Sequence, residues 1–352
     1  MSKSLQHIIS TKDSARDALR IISGLPDNTS LTLFVLDDNG FLKGTITDGD
    51  IRRGLLNNLE IFNSVDLFMN KNFKFFNKND DNQKKIKEYR NLGIELLPFL
   101  DEFGKLIEIL DLEKLKTILP ISVLLMAGGK GERLKPLTDA TPKPMLKVGD
   151  KPIIEHNLDR LISFGVKEFF ISVKYLKHAI IDYLGDGSSK GVIIKYVEED
   201  EPLGTLGALS LIDVIENEDL LVMNSDILTN IDFEDFFSYY KVNNSELMLA
   251  SIPYNVAIPY AVLKTNNQYV YDFEEKPNYT YYSNGGIYLM KTKLKDLLPR
   301  GKFFNATDLM SCIMKNDPTH LAHYPLLGYW LDIGKHQDYL KAQEDIKHIR
   351  LA

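Results

Sequence analysis

The sequence predicts an α/β domain built on a mostly parallel sheet, preceded by a smaller α+β module made of two half-repeats. Three observations predict it. After residue 120, short apolar runs alternate with amphipathic helical stretches, the pattern of a parallel sheet covered by helices on both faces. Within the first 118 residues, two strand–turn–strand stretches share a spacing, which implies two packed half-modules. The 352 residues, 44% hydrophobic and 26% charged, suffice for two or three domains with cores of their own.

The first stretch, LTLFVLDDNGFLKGTITDGDIRRGLL (31–56), reads as strand, turn, strand and helix. Asp38-Asn39-Gly40 supplies the hairpin turn, and Asp48-Gly49-Asp50 the start of the helix. The echo, ELLPFLDEFGKLIEILDLEKLKTIL (95–119), aligns Gly104 with Gly40 and is expected to end in a helix as well. Past Pro120, SVLLMA (122–127) is a strand. PIIEHNLDRLISFG (152–165) sets Ile153, Ile154, Leu158, Leu161 and Ile162 on one helical face, with Gly165 as its stop. EFFISV (168–173) is a strand and LKHAIIDYLG (176–185) a helix. VIIKYV (192–197) and DLLVMNS (219–225) are further strands. In such sheets ligands gather at the carboxyl ends of the strands.

Composition removes several classes of function. The net charge of −7 argues against a nucleic-acid binder, which carries a basic excess. Cys312 is the one cysteine, so no intramolecular disulfide and no cysteine-based zinc cluster can form, and a buried structural thiol is expected. The N-terminus lacks the continuous apolar core of a signal peptide, and no apolar run reaches the ~18 residues of a membrane span. A cytoplasmic protein is expected. His156, His178 and His336 fall on helical or loop segments and suit structural roles.

The run MAGGKGERL (126–134) follows the first strand of the second domain. It is not a dinucleotide fingerprint, because Leu134 stands where the third glycine belongs. It is not a P-loop either, since Gly131 follows Lys130 where serine or threonine is needed. What remains is a strand leading into Ala127, Gly128, Gly129 and Gly131, whose backbone N–H groups can turn toward phosphate oxygens. Arg133 adds a planar, permanent cation. Lys143 stands between Pro142 and Pro144 on a stiff, extended piece of chain.

The run from this loop to TPKPML (141–146) resembles the signature of the sugar-1-phosphate nucleotidyltransferases. Further elements follow in the family's order: EPLGTLGAL (201–209), NSDIL (224–228), FEEKP (273–277), SNGGIYL (283–289), FNATDL (304–309) and YWLDIGKHQDYL (329–340). The resemblance implies a Rossmann-like, GT-A-like domain over 121–352. It implies attack by a sugar-1-phosphate oxygen on the α-phosphorus of a nucleoside triphosphate, with pyrophosphate leaving. A phosphate monoester has a second pKa of about 6 and is already ionised at neutral pH, so no general base is needed. By resemblance, Asp226 and Asp332 hold Mg²⁺ or Mn²⁺, Arg133 and Lys143 stabilise the phosphates, and Glu275 and Lys276 hold the sugar phosphate. Asn284, Gly285 and Thr307 are placed where a hexose ring could lie. The commoner family ending is Asp-Ile-Gly-x-Pro, and His336 replaces that proline.

The acidic run Glu198 to Glu201 favours GTP, because a carboxylate accepts both N1–H and the 2-amino group of guanine. Glu199 is the first choice as base reader, with Gly204 and Gly207 allowing close approach of the backbone. UTP, dTTP and CTP stay open as alternatives. Residues 1–118 resemble a CBS-domain pair, with Gly44, Thr47 and Asp50 matching a motif that contacts adenine nucleotides in that family. In the second copy Asp111 and Lys114 stand at the positions of Thr47 and Asp50. The fused arrangement resembles glucosamine-1-phosphate guanylyltransferases of legionaminic acid pathways, while mannose- and heptose-1-phosphate enzymes share the core motifs. Both families commonly self-associate, so a homo-oligomer is expected. A catalytically silent nucleotide sensor is disfavoured, since a dead site has no physical need for Arg133, Lys143, Asp226, Lys276 and Asp332 together.

Overall fold

The computed structural model describes residues 6–26, 29–77 and 82–349. Residues 1–5, the start of the N-terminal stretch 1–19 that lacks the apolar core of a signal peptide, lie outside the described residues. The chain divides into two compact units, Met1–Ile118 and Leu119–Ala352.

The first unit contains β1 (Ile8–Ser10), α1 (Ala15–Ser23), β2 (Leu33–Leu36), β3 (Leu42–Ile46) and α2 (Asp48–Leu56). It continues with β4 (Phe76–Asn77), α3 (Asn82–Asn91), β5 (Leu96–Leu100) and β6 (Leu106–Asp111). Each half forms a three-stranded sheet with one parallel and one antiparallel pairing, β1-β2-β3 and β4-β5-β6. The hairpin turns are chemically the same. Asp37 Oδ1 accepts the N–H groups of Asn39 and Phe41, and Asp101 Oδ1 those of Phe103 and Lys105. Gly40 and Gly104 close the turns at φ of 82° and 89°, a conformation that a side chain would oppose. The two turns also hold each other, Leu42 N–H donating to the Gly104 carbonyl and Leu106 N–H to that of Gly40.

The second half departs from the expected closing helix. Thr47 and Asp50 form a reciprocal capping box at the start of α2, the device that satisfies free N–H groups at a helix start. At the matching positions Lys114 pairs with Asp111, and a turn at 112–114 leads into irregular chain up to Pro120. Asp111 Oδ1 accepts the N–H groups of Glu113 and Lys114 as a cap would, but Lys114 has no acceptor to close the reciprocal box, and the turn does not continue as a helix.

In the second unit the elements run β7 (Ile121–Met126), β8 (Lys147–Val148), β9 (Lys151–Pro152), α4 (Ile153–Ser163), β10 (Glu168–Val173), α5 (Lys177–Leu184), β11 (Ile193–Glu198), β12 (Asp219–Asn224), β13 (Ile227–Thr229) and α6 (Phe233–Val242). They continue with β14 (Leu247–Ala257), β15 (Val262–Asn266), β16 (Tyr269–Glu274), β17 (Asn278–Lys291), α7 (Ala306–Asn316), β18 (Leu321–Pro325), β19 (Trp330–Asp332) and α8 (His336–Asp345). The main sheet has the order β11-β10-β7-β12-β17-β14-β18. Its pairings are parallel except at β17, which runs antiparallel to both neighbours. Side chains alternate across β7: Val123 and Leu125 join the core under α4, α5 and α6, whereas Leu124 joins the core under α7. The chain leaves β7 toward β10 on one side and later enters β12 on the other. The loop after β7 thus stands at a topological switch point, where open α/β sheets bind ligands.

Beyond the sheet, β14 and β17 continue as a two-stranded ribbon from Ile252 opposite Ser283 to Ala257 opposite Asn278, tipped by the β15–β16 hairpin. Tyr254, Tyr271, Phe273 and Tyr281 are exposed on it. Cys312 is exposed on α7, against the expected buried thiol. Ala306, Leu309 and Ile313 form the buried stripe of that helix, and Cys312 falls outside it.

Candidate active site

The glycine loop is rooted by Ala127, whose N–H donates to the Ser172 carbonyl at the end of β10 (3.0 Å). A Cβ added at Gly128 would meet Glu199 Oε1 at 2.9 Å, while Gly129 faces open space. Gly131 turns the loop at φ 65°, and Thr138 Oγ1 donates to its carbonyl (2.9 Å). Tyr175, which sequence reasoning missed, donates from its hydroxyl to the Thr138 and Asp139 carbonyls. Arg133 is exposed, with its guanidinium against Gly334, where a Cβ would lie 3.4 Å from Nη2. Lys130 is exposed on the loop.

Asp226 and Asp332 come together through a contact the sequence did not announce. β13 and β19 form a short antiparallel ladder, with Ile227 opposite Asp332, and Ile333 N–H donates to the Asp226 carbonyl (3.1 Å). Lys143, only 9% exposed, reaches both carboxylates. Its Nζ is hydrogen-bonded to Asp226 Oδ2 and lies 3.7 Å from Asp332 Oδ1. One oxygen of each carboxylate, Asp226 Oδ1 and Asp332 Oδ1, is buried with no hydrogen-bond partner. Burial, and then the Asp226 charge, push the Asp332 carboxyl above its ordinary 3.8, against the pull of Lys143 and Arg133. Two part-exposed carboxylates, each with one buried and unpartnered oxygen, around the buried Lys143 ammonium suit a hard divalent ion, whose other positions go to water and phosphate. Ser225 and Asn157 brace the pair. Asn157 donates to the Ser225 carbonyl and Ser225 Oγ to that of Met126, which ties the carboxylate turn to β7.

The acidic run separates by environment. Glu198 pairs with Lys177, and Glu201 lies 3.8 Å from Lys174 on the surface. Glu199 accepts the Leu203 N–H on Oε2 (3.1 Å) and turns Oε1 toward Gly128. Gly204 and Gly207 are crowded by protein: Cβ atoms there would meet the Phe304 carbonyl at 2.9 Å and the Lys302 carbonyl at 2.6 Å. Their missing side chains let the 201–207 loop cross the start of α7, where Thr205 Oγ1 caps Ala306 N–H (2.7 Å). Thr307 is exposed in the first turn of α7. Asn284 accepts the Gly286 N–H and donates to the Tyr288 hydroxyl, and the Gly285 carbonyl accepts from Trp330 Nε1. Glu275 and Lys276 are exposed at the turn between β16 and β17, with Lys276 at φ 46°. No ion pair joins them to the carboxylates among the described residues.

Comparison with known proteins supplies the remaining observation. Residues 122–349 match the model of the family described as nucleotidyl transferase. The chain belongs to the nucleotidyl transferase family. Among curated relatives, a mannose-1-phosphate guanyltransferase of Yarrowia lipolytica is 32% identical over 62% of this chain and 61% of its own length. A mannose-1-phosphate guanylyltransferase of Mycobacterium tuberculosis is 25% identical over 64% of each chain. This nucleotidyl transferase therefore spans less than two thirds of the length of those relatives. Among solved structures, a protein of Bacillus anthracis assigned as a glucose-1-phosphate thymidylyltransferase aligns at a TM-score of 0.53 and 26% identity. That alignment covers 65% of this chain and 96% of the other.

In the first unit, Thr47 and Asp50 line a cleft of about 670 Å³ together with Arg53, Asn70, Lys74 and Glu95. The Asp50 carboxylate already accepts from the Thr47 N–H and hydroxyl and pairs with Arg53. No helix among the described residues is long and apolar enough to cross a membrane.

Proposed function

We propose that this nucleotidyl transferase is a sugar-1-phosphate guanylyltransferase, which joins GMP from GTP to a sugar 1-phosphate and releases pyrophosphate. The observation that carries the reading is the cluster of Lys143, Asp226 and Asp332 beside Arg133 of the glycine loop. Glycine-loop amides and Arg133 take the triphosphate, and Lys143 faces the reacting α-phosphate. The P–O bond to the sugar phosphate forms as the bond from the α-phosphorus to pyrophosphate breaks, and no proton need move. Asp226 and Asp332 are the residues that would hold Mg²⁺ or Mn²⁺, which when bound neutralises phosphate charge. The protein's part is positioning and charge stabilisation.

Guanine is favoured by Glu199, which turns an oxygen toward the glycine loop, and by the guanylyltransferases among the relatives. Glucosamine 1-phosphate is the first reading of the sugar, supported by the resemblance of the two-unit arrangement to glucosamine-1-phosphate guanylyltransferases. Mannose 1-phosphate is the second reading, favoured by the mannose-1-phosphate guanylyltransferases among the relatives. Glu275, Lys276, Asn284 and Thr307 remain the residues proposed for the sugar phosphate. The cleft at Thr47 and Asp50 is proposed as a regulatory adenine-nucleotide site, entered by displacing the Arg53 pair. Pyrophosphate release across a panel of nucleoside triphosphates and sugar 1-phosphates, with and without AMP, tests these assignments. GTP with one of the two sugars is expected to be fastest, and faster turnover of UTP or dTTP would remove the guanine assignment.

A further inference from the structure

The segment from β19 into α8 meets the exit of the glycine loop at Arg133, which lies against Gly334, and again beyond it at Lys135. His336, the first residue of α8, lies with Nε2 2.8 Å from the carbonyl oxygen of Lys135. A carbonyl only accepts, so Nε2 carries the proton. Lys135 ends the short helical turn Glu132–Leu134 that holds Arg133. The β19–α8 connector is itself tied at three backbone N–H groups. Ile333 N–H is bonded to the Asp226 carbonyl, and the N–H groups of Gly334 and Lys335 both donate to Asp338 Oδ2. Leu134 is buried with Ile333 and Ala342, which fixes the depth of the loop. The flanking residues Glu132, Arg133, Lys135 and Pro136 are exposed, so the His336 bond orients the backbone on the far side of that anchor.

We propose that His336 is a positioning residue for the triphosphate. It clasps the exit of the glycine loop to the segment carrying Asp332, so that Arg133 is kept against Gly334 and beside the carboxylates. A proline here, as the commoner pattern has it, has no side-chain donor and could not make this bond. The inference rests on the proposed assignment of the loop and Arg133 to the nucleotide. Loss of one hydrogen bond corresponds to a change of about three- to tenfold in an equilibrium, and it should fall on the nucleotide alone.

The test compares the full chain with His336→Ala and His336→Gln, since the Gln amide can restore a donor near the Nε2 position. GTP affinity is measured by isothermal titration calorimetry in Mg²⁺, and KM for GTP and for sugar phosphate by pyrophosphate release. The Ala variant is expected to weaken GTP binding and raise KM for GTP about three- to tenfold, with KM for sugar phosphate and thermal midpoint unchanged. The Gln variant is expected to recover most of the loss. An Ala variant that binds GTP as well as wild type overturns the role of His336, as does equal loss in Ala and Gln or a parallel rise in both KM values. If wild-type protein binds no nucleoside triphosphate, the reading of the whole site falls with it.

Discussion

At the scale of single residues, the site depends on which oxygen faces which backbone. Glu199 is separated from three acidic neighbours because its Oε1 faces Gly128 while Lys177 and Lys174 take the charges beside it. A methyl group at Gly128 would sit 2.9 Å from that oxygen, closer than packed atoms allow. Gly128→Ala is therefore expected to displace Glu199 and raise KM for GTP by about tenfold or more, with little change for the sugar phosphate. Steady-state kinetics with each substrate varied in turn checks this. The candidate residues were visible in the sequence because their types and order carry the chemistry. Their partners were not: Glu199 was the first choice within EEDE, but its bond to Leu203 N–H and its approach to Gly128 depend on where the chain turns after β11. The same holds for Cys312, whose exposure follows from its place off the buried stripe of α7.

At the scale of elements, strands and helices were legible wherever local periodicity decides them, as in α4, β10 and α5. The β13–β19 ladder was not, because three-residue strands carry no pattern and their partners lie about a hundred residues apart. The stretch after β6 is the reverse case: apolar spacing suggested a helix, and the chain makes only a turn at 112–114, although Asp111 caps it. Thr47→Ala removes such a cap and is expected to cost about 1 kcal/mol in the first unit, measured by chemical denaturation. In the second unit, Asp219 at the start of β12 binds Lys241 of α6, Lys291 of β17 and the Tyr240 hydroxyl, and its side chain is 3% exposed. Burial alone would raise its carboxyl, but the bonds from Lys241 and Lys291 outweigh burial and hold it below the ordinary 3.8. The unfolded chain then takes up the proton first on acidification. Asp219 thus stabilises the fold above its unfolded value, and the contribution is lost as pH falls through the lowered one. Asp219→Ala should destabilise the protein by about 3 kcal/mol near neutral pH, and the gap to wild type should narrow in denaturation series carried below about pH 4.

At the scale of the whole molecule, the chain joins a nucleotidyl transferase unit to a smaller one built from two like halves. The seam was legible because the repeat ends and strand–helix alternation begins on either side of Pro120. The matching Asp37 and Asp101 turns were only half legible, since the sequence suggested Asp38 and the acceptor proved to be the residue before it. Two carboxylates far apart in sequence meet over a lysine that stands between two prolines. The most direct measurement is pyrophosphate release from GTP and a sugar 1-phosphate in Mg²⁺, by wild type and by Asp226→Asn, with circular dichroism showing both folded. Wild type is expected to turn over and the variant to lose at least about 100-fold. Equal turnover by the two proteins would contradict the role of the Asp226 carboxylate.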